Sequence, residues 1–139
     1  MAFNIVSSKR YARHEIMTVY YLDNTEQYYV IFKTKIGTFN GVATYNKTNS
    51  FDDSIGECLA EYRAWLAYYK ALRNKCRDEL KALTDFYSSV KDMKAFDENN
   101  KIVNKMRYTI NKKKEELADL KAHVKISYRY IENLLSYIE

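Results

Sequence analysis

Few residues in this chain have types and spacings suited to covalent chemistry. Its 139 residues include two histidines, His14 and His123, and two cysteines, Cys58 and Cys76. Neither histidine has a Cys, His or carboxylate neighbour at metal-ligand spacing, so each is expected to be structural or solvent-facing. No phosphate-cradling Gly-rich loop, dinucleotide fingerprint or nucleophile elbow occurs. The adjacent carboxylates Asp52-Asp53 and Glu115-Glu116 are accounted for by a helix cap and a helix flank. No nucleophile has a base at usable spacing. The chain is therefore expected to be non-enzymatic, with no cofactor and no metal.

The residues that remain are those that bind. Fourteen tyrosines are many for this length, and tyrosine offers contact area with a polar tip, useful at interfaces and in half-buried packing alike. Lys9, Arg10 and Arg13 form a basic cluster near the N-terminus. Arg107, Lys114, Lys121 and Lys125 fall in a narrow arc of one helix, and Lys101, Lys105 and Lys112 in another. Such stripes track phosphates or simply solvate a helix. Residues 1–50 carry six Lys/Arg against three Asp/Glu, residues 51–98 eight against ten, and residues 99–139 nine against five. A net charge of +5 argues against mimicry of nucleic acid by an acidic surface.

The elements that must position these residues are legible from periodicity. From Phe51 to Met93, apolar residues recur in sevens at Ile55, Tyr62, Tyr69, Cys76, Leu83 and Val90. Cys58, Trp65, Leu72, Phe86 and Met93 follow three residues on, and Glu79 alone breaks that row. Leu59, Leu66, Leu80 and Tyr87 widen the stripe beyond a two-helix seam. A second helix runs from about Lys101 to the C-terminus, with Val103, Ile110, Leu117, Val124, Ile131 and Ile138 in sevens. Folded back on each other with a turn near residues 95–100, the two seams interlock when paired residue numbers sum to 196. That register sets Leu83 against Lys113, Glu79 against Leu117 and Cys76 against Leu120, with Glu79 and Lys113 in adjacent layers. The hairpin would be about 55–60 Å long.

Before it, Glu15 to Leu22, Gln27 to Ile36 and Thr38 to Tyr45 read as strands. In the second, Tyr28, Val30 and Phe32 alternate with Tyr29, Ile31 and Lys33, so the first set faces a core and the second faces water. Asp23 to Glu26 is turn chemistry, and Gly37 makes a tight return. Gly41, inside a strand, marks a bulge or a close backbone approach. The fold class expected is α+β: a three-stranded antiparallel sheet packed on a long antiparallel two-helix coiled-coil hairpin. Residues 1–139 form a single domain, with the sheet in 1–50 and the hairpin in 51–139. Met1 to Arg13 is a lead that forms an edge strand or tucks against the body.

Cys58 and Cys76 lie about 27 Å apart along one helix, too far to bridge. Met1 to Arg10 lacks a signal-peptide core, and no stretch reaches transmembrane length without charges. A cytoplasmic, reducing setting is expected, with no membrane partner.

One segment resembles a known group. Gly41-Val42-Ala43, then Phe51-Asp52, Ile55-Gly56, Leu59-Ala60 and Arg63-Ala64, is similar to a stretch in small phage and prophage proteins of the anti-CRISPR and anti-defence kind. Their short antiparallel sheet followed by a helix is similar to the β-β-β-α part of double-stranded-RNA-binding domains. Here Asp52, Asp53 and Glu57 stand where those domains carry a basic cluster, which argues against RNA binding by that face. The resemblance implies a phage-encoded inhibitor of a bacterial defence nuclease, acting by steric occupation in the cytoplasm of the infected host. Its partner would be a host defence protein or nuclease complex, met by Arg13, Tyr21, Tyr29 and Tyr45. One alternative is nucleic-acid binding through Lys9, Arg10, Arg107, Lys114, Lys121 and Lys125. Another is a coiled-coil scaffold. The unspent apolar row of the first helix and the aromatic end of the second (Tyr128, Tyr130, Leu135 and Tyr137) imply a homodimer.

Overall fold

A computed structural model describes residues 3–44, 53–91 and 101–137. In chain order they form strands β1 (Phe3–Ala12), β2 (Glu15–Leu22), β3 (Gln27–Thr34) and β4 (Gly37–Thr44), then helices α1 (Asp53–Val90) and α2 (Lys101–Ser136). The fold is α+β, with an antiparallel sheet in the order β1-β2-β3-β4.

The sheet has four strands where the sequence led us to expect three. Ser7, Ser8, Lys9 and Arg10 have little strand propensity by themselves. They are held because β1 pairs with β2, Ser8 opposite Thr18 and Lys9 opposite Met17. Lys9 and Ser7 also reach α1: Lys9 Nζ lies 3.1 Å from Glu61 Oε1, and Ser7 Oγ donates to Glu57 Oε1 at 3.4 Å. Register shifts between Ile5 and Ser7 and between Arg10 and Ala12 bulge this edge, which blunts it against pairing with another chain. The turn near residues 95–100, Tyr45 and the Phe51 end of the resembling segment lie outside the described residues.

The described chain falls into two compact units. One comprises Met1–Tyr69 with Val124–Glu139, the other Lys70–His123. In the first, the alternation of β3 places Tyr28, Val30 and Phe32 in the core beside Met17 and Val19 of β2. Trp65 of α1 meets the edges of Phe32 at 4.6 Å and Tyr11 at 4.9 Å between ring centroids, and stacks on Tyr69 at 5.4 Å. Each fully buried side chain here, Met17, Val19, Val30 and Phe32, contributes roughly 1.5–3 kcal/mol. The close approach expected at Gly41 is present. A Cβ there would lie 1.9 Å from Ala60 O and 2.7 Å from Ala64 N. Glycine on the strand and alanines on the helix let the backbones touch. Gly37 has φ 145°, a conformation that L side chains rarely adopt, and it closes the β3–β4 turn.

In the second unit the helices meet at a narrower seam. Cys76, Val90, Val103 and Ile110 are buried there, while most of their neighbours keep substantial exposure. Cys76 Sγ donates to Lys113 O at 3.6 Å, Lys113 Nζ lies 2.6 Å from Glu79 Oε2, and Arg107 Nε donates to the Tyr87 hydroxyl at 2.7 Å. Leu83 and Met106 line one groove. The sequence register would have put Lys113 against Leu83 and Leu120 against Cys76. The contacts between the helices have numbers summing to 189 for Cys76 with Lys113, 192 for Glu79 with Lys113 and 194 for Tyr87 with Arg107, all below 196, and the short Cys76 side chain points to a level one heptad lower. A slip of seven residues keeps every seam position on the seam, so seam matching alone does not exclude it.

Candidate binding surfaces

The sheet has two faces, set by strand alternation and pairing. Its inner face packs on α1. Arg63 Nη1 donates to Val42 O at 2.6 Å, which covers part of the β4 edge, and burial lowers the Arg63 pKa. The Tyr68 hydroxyl donates to Glu15 Oε1 at 2.9 Å. Burial, reinforced by that carboxylate, pushes the Tyr68 phenol up to about 12. Burial likewise raises Tyr62 and Tyr69. Tyr62 stacks on Tyr130 of α2 at 5.1 Å.

The outer face reads off the same registers. One row crosses the sheet as Ile5, Tyr20, Tyr29 and Val42, the next as Ser8, Thr18, Ile31 and Asn40, and a third as Arg10, Ile16, Lys33 and Thr38. Ile5 is 67% exposed, and Tyr20, Tyr29, Ile31 and Val42 are half-buried. These three rows contain no acidic side chain. They present an aromatic and aliphatic centre with two cations along one margin.

Of the expected protein-binding residues, Tyr29 stands at the middle of this outer face. Tyr21 is on the other side of the sheet, its ring 5.1 Å from that of buried Tyr28. Tyr21 and Tyr29 therefore do not share a surface. Arg13 is exposed in the β1–β2 turn, and Tyr45 lies outside the described residues. Tyr20, which sequence reading did not single out, joins Tyr29 as its cross-strand partner. The available signal was the antiparallel count across the Asp23–Glu26 turn.

The expected nucleic-acid residues separate too. Lys9 is inward and paired with Glu61, which raises its pKa, whereas Arg10 is outward on the sheet. Lys125 belongs to the sheet-containing unit, and Arg107, Lys114 and Lys121 to the helical one. Within the helical unit, Arg107 also lies over the Tyr87 ring, 5.8 Å from its centroid. Lys113 is engaged by Glu79 and Glu116, and Lys112 by Glu115. The Lys113 hydrogen bond holds the Glu79 carboxyl below the usual carboxylate range, and Lys113 itself is raised. Both cysteines are free thiols, and burial raises Cys76.

Among the described residues, no group of three or more His, Cys, Asp or Glu could hold a metal ion, and no helix is long and apolar enough to cross a membrane. No protein-family model, curated protein or solved structure matches this chain, so its function has to be read from its own residues.

Proposed function

We propose that this chain is a non-enzymatic, phage-encoded binding protein that inhibits a bacterial defence nuclease in the cytoplasm of the infected host. It would do so by sterically occupying a functional surface, as anti-CRISPR proteins do. The observation that carries the binding half is the outer face of the sheet. A Tyr20–Tyr29 pair flanked by Ile5, Ile31 and Val42, with Arg10 and Lys33 at the margin, has the aromatic centre and basic rim that dominate protein interfaces. The anti-defence half is supported by the resemblance of the Gly41–Ala64 segment. The net charge of +5 favours steric blocking over acidic mimicry.

Two structural readings belong to this proposal. The helices are taken as an antiparallel coiled-coil hairpin, supported by the buried Cys76, Val90, Val103 and Ile110. The protein is taken as a homodimer, supported by exposed Tyr128, Tyr130 and Tyr137 near the end of α2. A mass by light scattering that stays at one subunit across concentrations would remove the dimer.

Tagged protein retrieved from a bacterial lysate should retain a nuclease component after nucleic acid is digested, and should inhibit that nuclease when the two are mixed. Tyr29→Ala with Ile31→Asp should abolish both effects while leaving the fold intact. Capture and inhibition unchanged in that variant would move the binding surface elsewhere, and capture lost on digestion would remove the protein target.

A further inference from the structure

The net charge is not shared between the two units. Residues 70–123 contain fourteen Lys/Arg against nine Asp/Glu, and the rest of the chain nine against nine. The entire excess of +5 belongs to the helical unit.

Within that unit the contacts sort the two flanks of the seam. The Arg107–Tyr87 hydrogen bond marks one flank, and the Lys113–Glu79 and Lys113–Glu116 ion pairs mark the other. Residues spaced by alternating threes and fours share a flank. From Tyr87 that spacing runs along α1 through Arg73, Arg77, Leu80, Thr84 and Lys91. From Arg107 it runs along α2 through Asn104, Asn111, Lys114, Ala118 and Lys121. Six cations occupy this flank, and among the described residues the acid at its border is Glu115, four residues beyond Asn111 and paired with Lys112. Glu79 and Glu116 lie across the seam, while Asp78, Asp85 and Asp119 fall further round their helices.

We propose that this flank binds the phosphate backbone of nucleic acid, as a site separate from the sheet face and independent of the nuclease-inhibitor reading. Five of its cations, Arg77, Lys91, Arg107, Lys114 and Lys121, are exposed. They place like charge along one side of the seam, so they repel one another until a polyanion arrives. Arg107 and Lys121 are about 21 Å apart along the helix, a span over which a duplex presents about a dozen phosphate charges. The intervening Asn104, Asn111 and Thr84 are small hydrogen-bonding side chains, as phosphate contacts use. An acidic protein is the poorer fit, because the flank lacks the desolvated aromatic centre on which protein interfaces depend.

The test uses the full chain with labelled 20-nucleotide single-stranded and duplex DNA, read by fluorescence anisotropy from 50 to 200 mM salt. Arg77→Gln/Lys114→Gln/Lys121→Gln is compared with Lys101→Gln/Lys105→Gln/Lys112→Gln, which removes equal charge from another arc of the unit. Wild-type affinity should fall at least tenfold over this salt range. The flank variant should bind at least tenfold more weakly at 100 mM, with its log–log salt slope reduced by about two to three. The control variant should stay near wild type. Whichever DNA form binds tighter, the flank variant must lose it. Equal loss in both variants would reduce the effect to diffuse charge and overturn the proposal. So would absence of wild-type binding at 50 mM, or polyglutamate binding as tight as DNA binding.

Discussion

The two units of this protein solve the burial problem differently. In the sheet-containing unit a broad apolar face meets the stripe of α1, and Met17, Val19, Val30, Phe32, Ala60 and Ala64 are fully removed from water. The unit balances its charges, and its outer sheet face contains no acid in its three central rows. In the helical unit two helices share a single seam. Most of each helix circumference stays in solvent and must be polar, so the chain's excess positive charge accumulates there. A thick core leaves a surface free to be aromatic. A thin seam leaves one that must be charged, and the sign of that charge then becomes available for function.

The largest expected effects test whether the two cores are separable. Ile110→Asp puts an unpaired charge into the thin seam and should cost about 4 kcal/mol. Gly41→Ala forces a methyl onto the Ala60 carbonyl and the Ala64 amide. Neither atom can move without the helix, so the cost should be about 3 kcal/mol or more. Trp65, the one tryptophan, reports on the sheet-containing unit, and far-ultraviolet dichroism reports on the helices. Ile110→Asp should lower the dichroism transition while Trp65 keeps its native emission, and Gly41→Ala should shift the Trp65 transition most. Coincident transitions in both variants would show one cooperative core and end the comparison.

These same residues show how much of the molecule was legible in advance. The alternation of Tyr28, Val30 and Phe32 with Tyr29, Ile31 and Lys33 gave the inner and outer faces of β3, because a pleated strand has only two sides. Gly41 announced either a bulge or a close approach, and the unshifted β3–β4 register with the Ala60 and Ala64 backbone against it decides for the approach. β1 is only half legible in the sequence, because Ser7 to Arg10 owe their strand conformation to β2 and to Glu57 and Glu61, partners distant in sequence. The contacts of the helical seam fall two to seven residues below the expected sum of 196, because a heptad repeat determines which residues face the seam but leaves their axial pairing free. The basic flank was half visible. Arg107, Lys114 and Lys121 stood out as a stripe, whereas Arg73 and Arg77 join them only once the Arg107–Tyr87 contact shows which side of α1 adjoins that stripe.

An intermediate effect sharpens the contrast through pH. The Tyr68 phenol is raised from its ordinary value of 10 to about 12, by burial first and by the Glu15 carboxylate second. A raised folded-state pKa contributes stability that is complete below the unfolded value and lost as pH climbs through the folded one. The sheet-containing unit should therefore hold its melting temperature up to about pH 10 and lose it between about pH 10 and 12. Tyr68→Phe removes the hydrogen bond to Glu15, at a cost of about 1 kcal/mol near neutrality, and its alkaline decline should be shallower. Parallel declines in the two proteins, followed by Trp65 emission, would mean that Tyr68 ionises as readily folded as unfolded.

The smallest expected effect decides the register of the thin seam. Glu79 and Lys113 meet at 2.6 Å but keep 42% and 21% of their side-chain surfaces exposed, so a double-mutant cycle with Glu79→Ala and Lys113→Ala should give a coupling of about 0.5 kcal/mol. The Glu79 carboxyl is held below its ordinary range by this pair, so the coupling should be present at neutral pH and vanish as the carboxylate protonates in acid. A coupling that small identifies the neighbours but does not fix their level, and the native thiol supplies the second measurement. Cys76 Sγ lies 3.6 Å from the Lys113 carbonyl, while Leu120 is seven residues, about 10.5 Å, further along α2. Disulfide geometry tolerates Cα separations up to roughly 7 Å, so only one of the two positions can bridge to Cys76. Under mild oxidation, Lys113→Cys should form an intramolecular bond to Cys76 detectable by peptide mapping, and Leu120→Cys should remain reduced. The opposite pattern would restore the register with sum 196, in which Arg107 and Tyr87, whose numbers sum to 194, stay within two residues of level, so the flank assignment would stand.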